Sequence, residues 1–277
     1  MKLSDITIGQ YFPGESPIHR MDPRTKLTLT MVYLIMLFTA RNALALAVGV
    51  LFVLVSYPAS GVSLRLILRS TKPVLPIIIF TGIFNLFLVA GEVVWSFWFL
   101  SITDEGIRVA AFMCVRILCL IAGSALLTYT TSPIALTDGI EMLFSPLKKL
   151  GAPVHEVAMM MTIALRFIPT LIEETEKIMS AQKARGADLE SGNIFQRIRA
   201  MLPILIPLFV SAFRRAEELA LAMECRCYHG GEGRTRMRIL KVSWIDAAAV
   251  AFTAAFFSAV IAANIYAIDL AGMVSEL

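Results

Sequence analysis

Hydrophobic and polar positions alternate along this chain in long blocks. Apolar runs cover 27–40, 43–57, 73–90, 107–129 and 244–268, and several approach the roughly 20 residues that a helix needs to cross a bilayer. A polar and amphipathic stretch over 131–242 separates the fourth run from the fifth. The pattern predicts an all-α polytopic membrane protein with about five transmembrane helices and an embedded cytosolic domain of three helices.

The first two apolar runs are read as two short spans because basic clusters flank the pair on both sides. Together they would form a helix of about 46 Å, longer than the hydrocarbon core of roughly 30 Å. Basic loops stay in the cytosol, so an even number of crossings must lie between the two clusters. The flanking cations are Arg20, Arg24, Lys26, Arg65, Arg69 and Lys72. The N-terminus is therefore expected inside and the C-terminus outside.

The loop over 91–105 contains acidic residues and no Lys or Arg, which places it outside. Its segment 93–99 is rich in β-prone residues and has two tryptophans, so it predicts a small external hairpin on the lipid headgroups. In the fourth run, Arg116 lies well inside the apolar stretch. It either has a functional partner or snorkels from an amphipathic entry turn together with Arg108.

The chain divides into four parts on this pattern. Residues 1–26 are a cytosolic or interfacial segment, 27–130 hold four transmembrane helices, 131–242 form the cytosolic helical domain, and 243–277 contain the last span and an external tail. The first domain helix begins with Thr131-Ser132-Pro133, an N-cap followed by proline. The second runs from about 152 to Arg185 with a kink at Pro169, and the third bends near Pro203 and Pro207.

Composition narrows the function classes. With 57% hydrophobic residues, 17% charged residues and a mean hydropathy of +0.74, the chain is far more apolar than a soluble domain. The net charge of +4 is spread over loops, which gives nucleic-acid binding little support. The sequence Cys225-Arg226-Cys227 with one nearby histidine lacks a second ligand pair, so no metal site is expected. No phosphate-binding loop of the Gly-x-x-x-x-Gly-Lys-Ser/Thr type occurs.

Two helix ends inside the domain carry the candidate site. The first reads Ala184-Arg185-Gly186 and the second Cys225-Arg226-Cys227. Either arginine could simply complement the partial negative charge of a helix C-terminus. That interpretation alone does not account for their common setting, which is a polar segment within a lipid-adapted chain.

The sequence resembles the transmembrane coupling subunit, or T component, of energy-coupling-factor transporters over nearly its whole length. The resemblance rests on the motifs Gly9-Gln10-Tyr11-Phe12-Pro13-Gly14, His19-Arg20-Met21-Asp22-Pro23-Arg24-Thr25-Lys26, Leu165-Arg166-Phe167-Ile168-Pro169-Thr170, Ala184-Arg185-Gly186 and Arg214-Arg215-Ala216-Glu217-Glu218-Leu219-Ala220-Leu221-Ala222-Met223-Glu224. The second arginine motif departs from the family's usual Ala-Arg-Gly, because cysteines flank Arg226.

The resemblance implies a non-catalytic subunit of a multi-pass transporter in a prokaryotic cytoplasmic membrane, with no cofactor of its own. It would join two ABC-type ATPases to a small membrane-embedded substrate-capture (S) protein that takes up a vitamin or a transition-metal ion. Each arginine helix end would dock in a groove of one ATPase. A planar guanidinium suits such a groove, because it donates in a fixed fork.

Two other classes of membrane protein fit the sequence less well. A membrane-embedded enzyme would need a cluster of catalytic side chains within a span, and the three histidines are scattered. An autonomous secondary transporter would show inverted repeats and broken helices at the bilayer midplane. Four runs plus one after a long insertion lack that symmetry.

The predicted orientation can be checked by thiol labelling. In a cysteine-free background, single cysteines replacing Asn42 or Ser275 should react with an impermeant reagent on intact cells, and one replacing Ser191 should not. Labelling at position 191 would overturn the topology.

Overall fold

A computed structural model describes residues 11–97, 100–187, 193–231 and 240–275. Helices dominate these residues, and two short strands interrupt them. The elements are α1 Pro17–Arg20, α2 Pro23–Thr39, α3 Ala43–Ser60, α4 Leu64–Thr71, α5 Leu75–Leu88, β1 Val93–Phe97, β2 Leu100–Thr103, α6 Asp104–Thr130, α7 Pro133–Phe144, α8 Val154–Ala184, α9 Ile194–Cys225 and α10 Trp244–Ser275. Short 3₁₀ turns follow α4 and α7.

The described residues form two compact units. One contains 11–139 and 240–275, and the other contains 140–187 and 193–231. In the first unit α2, α3, α6 and α10 pack around Tyr33, which is fully buried. Its ring stacks on Phe52 with 4.8 Å between centroids. A Cβ at Gly123 would lie 2.2 Å from the Tyr33 ring, so glycine is required where α6 passes this side chain.

Five described helical segments are long and apolar enough to cross a membrane, as the sequence predicts. They are Ala43–Ser60, Arg65–Leu88, Asp104–Thr130, Val154–Ala184 and Trp244–Tyr266. The set differs from the predicted one at two places. Helix α2 has 17 residues, about 25 Å, and is shorter than the roughly 30 Å hydrocarbon core. Helix α8, assigned by sequence to the cytosolic domain, qualifies by its length and its apolar first half.

The third predicted span starts earlier than the sequence indicates. The sequence predicts this span from residue 73, but the helical segment begins at Arg65 and passes through a 3₁₀ turn at Lys72–Val74 into α5. Proline at the start of a helical segment is tolerated, because its missing N–H needs no partner there. Pro73 and Pro76 therefore mark a change of winding within the segment.

A hairpin forms where the sequence predicts one, with its second strand beyond residue 99; its external position on the headgroups stays a prediction. Strands β1 and β2 pair antiparallel, with Phe97 opposite Leu100 and Trp95 opposite Ile102. An irregularity between Val93 and Trp95 shifts the register. Strand β2 leads directly into α6, where the Thr103 hydroxyl accepts a hydrogen bond from the Gly106 N–H at 3.0 Å. The strand pair thus ends in an N-cap for the following helix.

Arg116 binds the C-terminal end of α2. Its guanidinium donates to the Ala40 carbonyl and lies 4.6 Å from the Phe112 ring centroid. From α10, Asn264 accepts from the Arg41 N–H at 3.1 Å and donates to the Thr39 carbonyl at 2.8 Å. A helix C-terminus has unsatisfied carbonyls and partial negative charge. The charge inside α6 therefore has a partner of the kind that its apolar setting requires.

A buried polar cluster joins the ends of three helices at the other end of α2. The Lys26 amine is almost inaccessible and donates to the Thr130 carbonyl at 2.8 Å and the His19 carbonyl at 3.1 Å. Asp246 accepts from the Asp22 N–H at 2.8 Å and from the Ser243 N–H at 2.6 Å. We call Asp22, Lys26 and Asp246 the Lys26 cluster.

Burial lowers the pKa of Lys26 to about 8, against the opposing attraction of Asp246 and Asp22. The amine therefore stays mainly charged at neutral pH and balances the buried carboxylates. The cluster fixes the start of α2 against the end of α6 and the start of α10.

Removing the amine from the Lys26 cluster should be strongly destabilising. Lys26→Met keeps the apolar stem but leaves two carbonyls without this donor. It also removes a cation near two buried carboxylates, of which Asp22 keeps Arg24 at 3.6 Å. Breaking such a buried network typically costs about 3 to 5 kcal/mol. The measurement is thermal unfolding of the purified chain in detergent.

Arg20→Ala is the control, because Arg20 pairs with Glu15 at 3.3 Å with both side chains largely exposed, and such pairs contribute about 0 to 1 kcal/mol. Equal losses in the two variants would contradict the role assigned to Lys26.

Candidate docking site at two helix ends

Helices α8 and α9 of the second unit pack along each other in opposite directions. The Arg215 guanidinium of α9 contacts the Glu174 carboxylate of α8 at 2.7 Å, and both side chains are largely covered. The Gln182 amide donates to the Pro203 carbonyl at 3.4 Å. From Glu174 to Gln182 along α8, the contacted residue on α9 moves back from Arg215 to Pro203, so the two helices are antiparallel.

The first arginine end closes α8 with a backbone motif. Arg185 is the C-cap residue, and Gly186 follows in the left-handed region with φ of +86°. The Gly186 N–H donates to the Lys183 carbonyl and the Ala187 N–H to the Gln182 carbonyl, both at 3.0 Å. These two bonds define a Schellman motif, in which backbone donors satisfy the last helical carbonyls.

The second arginine end closes α9 with the same motif. Arg226 is the C-cap residue. The Cys227 N–H donates to the Glu224 carbonyl at 2.8 Å and the Tyr228 N–H to the Met223 carbonyl at 3.0 Å. Cys227 has φ of +55° and is the one non-glycine residue with positive φ in the part of the chain that the structure describes. The departure from Ala-Arg-Gly therefore leaves the backbone geometry unchanged.

All six residues predicted as the site lie at the surface of their unit. These are Ala184, Arg185, Gly186, Cys225, Arg226 and Cys227. Backbone N–H groups already satisfy the terminal carbonyls at both ends, so hydrogen bonding by the arginine side chains is not needed there. Within the described ranges, neither guanidinium has a side-chain hydrogen bond or an ion pair. Both groups are available to a partner.

The two ends are far apart along the helix pair. Gln182 contacts Pro203, so Arg185 lies within about one helical turn of that level. The segment from Pro203 to Arg226 spans about 35 Å at 1.5 Å per residue. The geometry thus presents two separate arginines, suited to two contacts rather than one.

The thiols beside Arg226 are free, and among the described residues no group of three or more His, Cys, Asp or Glu could hold a metal ion. Cys225, Cys227 and His229 are therefore not assembled as ligands. The sequence did not single out His155, which lies beside the second end and contacts Gly231 and Glu141. A histidine two residues after a proline gives no signal of that position.

The fold defines a class, that of helical multi-pass membrane proteins, and comparison with known proteins gives the family. The family model described as "Cobalt transport protein" (CbiQ) matches residues 14–237. The energy-coupling factor transporter transmembrane protein EcfT of Ruminiclostridium cellulolyticum is 52% identical over 259 residues, covering 94% of this chain and 97% of that protein.

The EcfT of Thermosediminibacter oceani is 53% identical and that of Acidaminococcus fermentans 54%. They cover 89% and 88% of this chain, and 93% and 91% of their own lengths. The chain belongs to the family of T components, the transmembrane energy-coupling subunits of energy-coupling factor transporters. The resemblance noted from the sequence motifs is confirmed.

If Cys227 serves only to adopt the left-handed conformation, a variant with Cys225→Ala and Cys227→Gly should transport at the parental rate. Its helix end should be more stable, by up to about 1 kcal/mol, because glycine carries no Cβ penalty there. Cys227→Val should weaken the same end, since a β-branched residue is poorly compatible with positive φ. Uptake and thermal unfolding measure both effects. Loss of uptake in the Ala/Gly variant would instead assign a role to the thiols.

Proposed function

We propose that the two arginine ends are the docking points for two ABC-type ATPase subunits, one at Arg185 and one at Arg226. The observation that supports this most is the repetition of one motif: an exposed arginine at the C-cap, held by a left-handed residue, at the ends of two long helices. Capping does not require the arginine side chains, because backbone N–H groups already donate to the terminal helical carbonyls. A bidentate guanidinium provides strong and directional binding to carbonyls or carboxylates.

The antiparallel pair would transmit ATP-driven motion. A displacement at either end is carried along a helix whose partner is fixed by Arg215–Glu174 and Gln182–Pro203. The pair also has apolar residues on its surface that a freely solvated domain would not expose. They include Val157, Met160, Met161, Leu205, Ile206, Phe209, Val210 and Phe213. We assign this surface to contact with a small membrane-embedded S protein and with lipid.

The chain would then be a non-catalytic subunit, with ATP hydrolysis performed by its partners and substrate binding by the S protein. Uptake of a vitamin or a transition-metal ion fits the family resemblance, and the family description names cobalt transport. Helix α8 stays with the cytosolic domain in this proposal, although it is long enough to span. Its second half carries Glu173, Glu174, Glu176 and Lys177, and it ends in an exposed arginine. The N-terminus is inside and the C-terminus outside.

Substitution of the two arginines separates docking from simple charge complementation. If each is only a helix-end charge, Ala should cost about 0.3 to 1 kcal/mol and Lys should be tolerated. If each guanidinium is buried by a partner, Arg185→Ala or Arg226→Ala should weaken docking by about 2 to 5 kcal/mol. The double variant should release the ATPases or uncouple hydrolysis from uptake, and Lys should rescue little. Co-purification of the complex and uptake in vesicles are the measurements.

Arg214→Ala provides the matched control, because Arg214 is an exposed arginine in the middle of α9, about 18 Å along the helix from Arg226. It should leave assembly and uptake unchanged. A doubly substituted Ala variant that assembles with both ATPases and drives uptake at the parental rate would refute the assignment.

A further inference from the structure

The chain beyond Arg226 returns to the start of α8. Gly231 lies against the His155 ring so closely that a Cβ on it would be 2.5 Å from Cδ2 and 3.0 Å from Cγ. Real side chains do not approach to 2.5 Å, so only glycine fits at this point. Gly230 has φ of +99°, a left-handed conformation that directs the backbone into the contact.

His155 is itself held from a second helix. Its Nδ1 donates to the Glu141 carboxylate of α7 at 3.0 Å, and the Glu141 side chain is largely buried. The Nε2 atom is buried too and has no hydrogen-bond partner within the described ranges. The ring is therefore fixed on one side by a charge-assisted hydrogen bond and covered on the other by Gly231.

The first arginine end has no equivalent support among the described residues. A Cβ added to Gly186, directly after Arg185, would meet nothing within 4 Å. At the second end, Gly231 lies only five residues after Arg226, and five residues reach at most about 17 Å. Fixing Gly231 therefore limits where Arg226 can lie. Gly186 after Arg185 is therefore uncovered, whereas Gly231 after Arg226 is braced by His155.

We propose that His155 is a positioning residue for Arg226: anchored by Glu141, its ring supports the segment 227–231 and sets the direction in which the second arginine meets its partner. This rests on the proposed docking of Arg226. Because Glu141 belongs to α7, displacement of the docked end would be passed to α7 through His155 as well as along α9. His155 itself need not touch the ATPase.

Gly231→Ala tests the proposal, because its methyl group would lie 2.5 Å from Cδ2 of the His155 ring and clash with it. Overpacking of this kind should weaken ATPase binding by the full-length chain in nanodiscs by about five- to hundredfold. Adding His155→Asn shortens the side chain while keeping an N–H for Glu141, so it should restore most of the binding. Weakening that His155→Asn does not relieve would overturn the proposal.

Two backgrounds show whether the effect acts through Arg226. With Arg226→Ala already present, Gly231→Ala should cause no further loss, whereas with Arg185→Ala present it should cause its full loss. Equal losses in both backgrounds would indicate general destabilisation and contradict a positioning role.

The extent to which the native thiol of Cys227 is alkylated in the assembled complex provides a measurement independent of affinity, and mass spectrometry quantifies it. The ATPase should protect this thiol in the parental chain, and Gly231→Ala should expose it. If Arg226→Ala does not weaken binding, the proposed function fails. If Arg226→Ala weakens binding and Gly231→Ala does not, only the role of His155 fails.

Discussion

The exposure of the two arginines depends on how an α-helix satisfies its last carbonyl groups. Four carbonyls at every C-terminus lack an intrahelical donor, and a charged side chain nearby often complements them. In α8 and α9 a residue in the left-handed conformation turns the backbone so that its own N–H groups fill this role. The arginine at the C-cap is thereby released from its helix. Two local backbone motifs thus create two exposed guanidinium groups, and the remaining structure determines where they lie.

Different contacts hold each compact unit. In the unit containing α8 and α9, the Arg215–Glu174 pair fixes the two helices side by side, and His155 fixes the chain beyond the second end. In the other unit, the Lys26 cluster joins the starts of α2 and α10 to the end of α6. Both arrangements use partly or fully buried charges, which are costly unless they are paired and hydrogen-bonded. Such contacts favour one arrangement of the helices over other apolar packings.

Much of this was predictable from local sequence patterns. Hydropathy indicated the number of long apolar helices, β-prone residues indicated the hairpin, and arginine before glycine indicated the end of α8. Local patterns predict less well which helices are long enough to span a membrane. Helix α8 is apolar in its first half and α2 is short, and periodicity alone does not separate a membrane span from a buried amphipathic helix. The Lys26 cluster joins Asp22 to Asp246, far apart in sequence, and no local pattern reports such a pair. The positive φ of Cys227 could not be predicted, because glycine indicates a left-handed position in a sequence and cysteine does not.

Each arginine end is proposed to meet its own ATPase. Site-specific photo-cross-linking in the native membrane tests this most directly, with a photoreactive residue in place of Ala184 in one variant and of Cys225 in another. Each should form a covalent adduct with an ATPase subunit, and a chain carrying both should be recovered attached to two ATPase subunits at once. Adducts only with lipid or with the S protein at both positions, in complexes that still contain the ATPases, would contradict the claim.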